Sequence, residues 1–135
     1  MNNDSKCNLV NEIQKEIDKL NLPYKYPFEK GKKHGFYYYG FFISIPDKAW
    51  IMFCWSDESL KNCNKSFWLE LSSRAAKKWR KVGITEYSCN DKEYEVCVPI
   101  DLNRLVIPLE VTNDNMKNAI DLIISVSKDV LDDYL

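Results

Sequence analysis

Residues 34–56, HGFYYYGFFISIPDKAWIMFCWS, constrain the fold more than any other stretch. Tyr37, Tyr39, Phe41, Ile43 and Ile45 alternate with Phe36, Tyr38, Gly40, Phe42 and Ser44. Aromatic and β-branched residues in such a run, bounded by turn formers, favour a strand over a helix. Pro46-Asp47 supplies the turn, because proline presets the second position and aspartate bonds its own backbone. Ala49, Ile51, Phe53 and Trp55 then alternate with Trp50, Met52, Cys54 and Ser56. The product is a β-hairpin apolar on both faces, which needs cover on both sides or a partner on one of them. Gly40 within the first strand points to a bulge or a close backbone approach.

The flanking segments read as cover. Residues 5–20 carry the stripe Leu9, Val10, Ile13, Ile17 and Leu20 of an amphipathic helix, capped by Asp4 or Ser5 and ended by Asn21 and Pro23. Residues 23–35, with two prolines, two glycines and Lys30, Lys32 and Lys33, read as a loop. After a polar connection over 57–65, SFWLELS alternates as a third strand. Ser72 or Ser73 caps a helix expected to run through Val82, with Gly83 as its left-handed terminal residue and Ile84 as the apolar contact beyond. ITEY starts a fourth strand, CNDKE turns, and YEVCVPI is a strand with Tyr94, Val96, Val98 and Ile100 inward and Pro99 at an edge or end. LVIPLEV is extended by residue type but interrupted by Pro108. A closing helix over about 113–134, capped by Thr112 or Asn113, buries Met116, Ala119, Ile120, Ile123, Ile124, Val130, Leu131 and Tyr134. The order is α-βββ-α-β-β-α. The class is α+β: one domain over 1–135, an antiparallel sheet of about five strands with helices packed mainly on one face.

Composition narrows the functions. Net charge is −1, but residues 1–83 hold 15 Lys/Arg against 9 Asp/Glu and residues 84–135 hold 4 against 11. A chain divided in this way has no general attraction for polyanions. No apolar run is long enough to span a bilayer, and MNNDSKCNLV lacks the layout of a secretory signal. Cys7, Cys54, Cys63, Cys89 and Cys97 form no CxxC pair and read as free thiols of a reducing cytoplasm. The expectation is a cytoplasmic protein without a membrane partner.

Enzyme chemistry finds no anchor. A PD-(D/E)xK nuclease needs an acid at a hairpin end, which Asp47 offers, then Glu-x-Lys on the next strand. Glu70, Glu95 and Glu110 are each followed by residues that break that motif. Zinc needs several Cys or His at ligand spacing, and His34 is the single histidine. It is also the only base for a Cys-His nucleophile. No P-loop, GxSxG or GxGxxG is present. No catalytic residue, metal site or cofactor is assigned, and the balance leans against an enzyme.

Two features point to binding. Arg74, Lys77, Lys78 and Lys81 would share one face of the expected helix, with Arg80 beside them, and Lys30, Lys32 and Lys33 would extend the patch. Such a face contacts phosphates or an acidic protein, although charged helix faces commonly serve solubility alone. Tyr37, Tyr39, Trp50 and Trp68 would form an aromatic sheet face of the kind that anchors interfaces, although core packing also claims large rings.

GFYYYGFFISIPDKAWIMFCWSDE and NRLVIPLEVTNDNMKNAIDLIISVSKDVL resemble the C-terminal accessory region of bacterial defence-associated PD-(D/E)xK family proteins. In those proteins a Gly-aromatic strand pair precedes a long closing helix. The resemblance covers about half the chain and carries over no catalytic residue. It implies a non-catalytic recognition module in a defence or counter-defence setting. The element order is also similar to that of dimeric bacterial secretion chaperones. The reading is a non-enzymatic module recognising a macromolecule, protein favoured over nucleic acid. Its rivals are a degenerate metal-dependent nuclease around Asp47 and Glu70, and a homodimer using the sheet face on itself.

Overall fold

The computed structural model describes residues 3–19, 29–33, 36–45, 48–56, 67–72, 74–77, 79–89, 92–96 and 105–131. Helix α1 (Asn3–Asp18) leads into strands β1 (Glu29–Lys33), β2 (Phe36–Ile45), β3 (Ala49–Ser56) and β4 (Phe67–Leu71). Three short strands follow, β5 (Arg80–Lys81), β6 (Glu86–Cys89) and β7 (Lys92–Glu95), and then β8 (Leu105–Leu109) and helix α2 (Met116–Leu131). The fold is α+β. One antiparallel sheet has five strands in the order β1-β2-β3-β4-β8, and a second has three in the order β5-β6-β7.

Register assigns the faces of the larger sheet. Phe41 pairs with Phe53, Ile43 with Ile51, Phe53 with Leu69 and Leu69 with Ile107, so these side chains share one face. Both helices pack on this face, α1 through Leu9, Val10, Ile13 and Ile17, α2 through Ala119, Ile123, Val126 and Val130. The Lys6 ammonium lies 5.3 Å from the centroid of the buried Trp55 ring, closing the α1 end by a cation–π contact. The opposite face carries Met52, Cys54, Trp68 and Val106 as a second apolar cluster.

Gly40 stands in unbroken register opposite Cys54, so the strand has no bulge there. What the position requires is closeness. A Cβ placed on Gly40 would run into the Phe53 carbonyl oxygen and approach the Cys54 Cβ to 2.5 Å.

Helix α2 begins with a reciprocal cap. Asn115 N–H donates to Thr112 Oγ1 at 3.3 Å, and Thr112 N–H donates to Asn115 Oδ1 at 2.7 Å. Thr112 is therefore the cap of the two expected residues. Buried Ser127 satisfies its hydroxyl by donating to the Ile123 carbonyl at 2.6 Å.

The element order departs from expectation at three places. Residues 29–33, expected in a loop, form β1, because the edge of β2 offers backbone partners to a segment with little strand propensity of its own. LVIPL is a strand, and Pro108 is tolerated because β8 is an edge of its sheet. The expected helix over 72–82 is replaced by one turn followed by β5. Pro46, Asp47, Pro99, Val98, Ile100 and Tyr134 lie outside the described residues.

Gly40→Ala is expected to destabilise the protein by about 1–3 kcal/mol, the range for overpacking a filled site. The readout is a lowered urea midpoint at unchanged slope. A midpoint equal to wild type would mean that β2 and β3 are not so closely apposed.

Candidate partner-binding surface

The basic stretch begins where β4 ends. The Ser72 backbone N–H donates to the Trp50 carbonyl at 3.0 Å, and its hydroxyl oxygen accepts from Trp50 N–H at 3.1 Å and Ala75 N–H at 3.2 Å. Ala76 N–H then reaches the Ser72 carbonyl at 2.9 Å, completing one helical turn. The next bonds, Lys77 to Arg74 and Trp79 to Ala76, are three-residue closures that tighten and end it. An isolated helix of the expected length is marginal in water. Trp79 buries its ring against Tyr94, centroids 4.9 Å apart, while Arg80 and Lys81 pair with Ser88 and Tyr87. These long-range contacts outweigh the local helical spacing.

Arg74, Lys77, Arg80 and Lys81 are all exposed, but they do not share a helix face. Arg74 and Lys77 sit on the turn, and Arg80 and Lys81 alternate across the small sheet. Lys78 lies outside the described residues. The β1 lysines do not extend it in register. That strand pairs with the Phe36–Gly40 part of β2, whereas the basic turn leaves opposite Trp50, at the other end of the sheet.

Beyond β5 the chain makes a hairpin tip that the sequence reading did not single out. Val82 and Gly83 N–H groups both donate to the Glu86 carbonyl, at 2.9 and 3.2 Å. Val96 N–H donates to the Thr85 carbonyl at 2.8 Å, so β7 braces the tip from behind. The Glu86 carboxylate folds back to accept from Thr85 N–H at 3.2 Å and its hydroxyl at 3.4 Å. Val82 and Ile84 are 52% and 90% exposed, the large hydrophobics left open among the described residues. The signal was KVGIT, two aliphatics about a glycine beside a basic run. The expected helix hides it by running through Val82 and giving Ile84 a terminal contact. Gly83 belongs to a hairpin loop instead.

The expected aromatic face divides. Tyr39 is in register with Trp55 on the helix-covered face, and its hydroxyl donates to Asn11 Oδ1 of α1 at 3.2 Å. Trp50 and Trp68 lie on the opposite face. Trp50 is half-buried and meets Phe42 edge-on at 5.4 Å, while Trp68 is 1% exposed against Cys54 and Val106. Trp68 is therefore core in this chain, and the Tyr37 side chain lies outside the described residues.

Burial pushes the Cys54 thiol well above its ordinary value, and the Glu70 carboxylate adds to the effect, so Cys54 is held as a neutral thiol. Cys7 and Cys89 are free thiols, half-buried and buried, while Cys63, Cys97 and His34 lie outside the described residues. Among the described residues no group of three His, Cys, Asp or Glu is placed to hold a metal. Glu70 is buried between Met52 and Val106 in register, and its suggested partner Asp47 lies outside the described residues. No described helix is long and apolar enough to cross a membrane.

Lys92 adds a polar tie between the small sheet and α2, its ammonium donating to Ser125 at 2.8 Å and Asp129 at 3.1 Å. These contacts border an open groove of about 300 Å³ lined by Lys92, Asp121, Ile124, Ser125, Lys128 and Asp129. The hydrogen bond to Asp129 raises the Lys92 pKa from its ordinary 10.5, with burial opposing. A cation stabilised in this way contributes fully below 10.5 and is lost only as the pH rises through the raised value. The chain matches no family model, no curated protein and no solved structure.

Two outcomes are expected. Native Cys54 resists alkylation by iodoacetamide at pH 8 while denatured protein reacts, and rapid native labelling at this residue, read by peptide mass spectrometry, would contradict its burial. Lys92→Met is expected to speed amide hydrogen exchange in β6 and β7 while leaving β3 and β4 protected. Unchanged exchange in β6 and β7 would show that Lys92 does not hold the small sheet.

Proposed function

We propose that the protein is a non-enzymatic binding module that recognises a macromolecular partner, protein in preference to nucleic acid, through the Arg74–Glu86 segment. The observation that carries this reading is continuous exposure from Arg80 to Glu86 on a hairpin whose loop is closed on the Glu86 carbonyl and braced on one side by Val96. A chain that places Val82 and Ile84 in water beside the exposed Lys81 and Arg80 leaves apolar area open next to charge. A second surface would remove that apolar area from water and meet the charge beside it. The near-balanced total charge favours a partner of mixed character over a polyanion. The resemblance to accessory regions of defence-associated proteins is in keeping with a recognition role, and we place the setting there on that resemblance alone.

The test compares wild type with Arg80→Glu/Lys81→Glu by size-exclusion chromatography with light scattering, at low and high salt. Short duplex and single-stranded DNA and RNA serve as probes. The expected result is no nucleic-acid complex, together with a protein complex from cell extract that salt weakens and the double variant abolishes. A salt-sensitive nucleic-acid complex lost in the variant would replace protein by nucleic acid as the partner. A wild-type homodimer lost in the variant would replace it by self-association.

A further inference from the structure

The geometry points to Ile84 as the anchor of that interface, and to a folded protein offering an aliphatic pocket with carboxylates on one rim as its occupant. This rests on the binding reading above and adds the chemistry of the partner. Four observations carry it.

Ile84 is 90% exposed, and Val82, two residues before it, is 52% exposed, with only Gly83 between. An aliphatic side chain gains by leaving water in proportion to the area it buries, and Ile84 has almost all of its area to give.

The tip is held ready. Two N–H groups converge on the Glu86 carbonyl, Val96 ties Thr85, and the Glu86 carboxylate is bonded to Thr85. Little ordering remains to be done on association, which is the main saving a preorganised anchor offers.

Cations stand directly behind the aliphatics. Lys81 and Arg80 precede Val82, one on each face of β5, and Lys77 lies on the turn before them, all exposed. Their complement is a set of carboxylates beside the pocket, not within it.

The neighbouring strands decide the class of partner. On the outer face of the small sheet Glu86 is directly opposite Glu95, and Glu93 is opposite Ser88, with all three carboxylates exposed. A phosphodiester backbone or an anionic bilayer brought to Ile84 along this face would meet these carboxylates beside Arg80. The tip also lacks the aromatic ring that base stacking uses. A protein surface can place acids against β5 and donors against β6 and β7, and can close an apolar pocket round one isoleucine.

The experiment uses full-length wild type, Ile84→Asp, Ile84→Leu and Arg80→Glu/Lys81→Glu. Melting curves establish that each is folded, as solvent-facing positions allow. Each is used as bait in extract from the cells of origin, and the protein retained by wild type is purified and titrated calorimetrically against all four. Phosphatidylcholine vesicles containing phosphatidylserine and a short DNA duplex are run in parallel.

Ile84→Asp is expected to weaken the purified complex by at least about tenfold, and Ile84→Leu to stay within about threefold of wild type. The charge variant is expected to weaken it and flatten its salt dependence. A complex that Ile84→Asp holds as tightly as wild type overturns the anchor while leaving the binding reading in place. Vesicles or duplex bound by wild type and released by Ile84→Asp overturn a protein as the occupant. Failure of wild type to bind extract protein, vesicles or duplex overturns the inference and the binding reading together.

Discussion

Burial of the central strands on both faces is the constraint on which the rest of the structure depends. Every residue of β4 is buried, and β3 alternates only between buried and half-buried. Strands enclosed in this way must be apolar in nearly continuous runs, which is why the aromatic stretch leaves so few polar positions. Their ladder bonds are shielded from water, and unpaired backbone groups there would be costly. The close approach at Gly40 belongs to the same requirement, because a side chain there would separate β2 from β3 where both are enclosed. Cys54 feels the consequence most directly. Its thiol stays neutral because it is dry and near Glu70, so the enclosure that stabilises the fold also removes a nucleophile.

The small sheet inherits its stability from this core. Register puts Tyr87, Cys89 and Tyr94 on its inner face, and Trp79 and Val96 join them in the same apolar cluster as the helices. Its outer face is charged: Arg80, Glu86, Glu93 and Glu95. The edge strand β5 contains only Arg80 and Lys81, and a short basic edge of that kind discourages addition of another strand. The charge division noted in the sequence falls at residue 83, within this hairpin. One arm ends the basic part of the chain and the other begins the acidic part, so opposite signs face the same neighbourhood.

Much of the larger sheet and both helices were legible because their signals are local. Alternation in β2, β3 and β4 and the stripe in α1 each follow from a periodicity visible within about ten residues. The losses came where partners distant in sequence decide. The segment EKGKK has no strand character, yet it pairs residue by residue with Phe36–Gly40. Arg74 to Lys81 has true helical spacing, but Trp79 and the pairing with β6 prevail after one turn. The aromatic residues were individually prominent and collectively misleading. Only register shows that Tyr39 and Trp68 point to opposite faces, and only burial shows that Trp68 is core.

The tip is separable from the core that folds the chain. Core substitutions alter stability, and any loss of binding they cause is confounded with unfolding. Ile84 buries little area in the free chain, so its side chain adds little to stability. The conformation that displays them is supplied by backbone bonds to Glu86 and Val96, by the Trp79–Tyr94 contact and by the Lys92 tether to α2. None of these involves the exposed aliphatic atoms. The chain thus supports an apolar projection with interactions that do not require it to be apolar, and this independence is the physical ground for proposing that the tip meets a second surface.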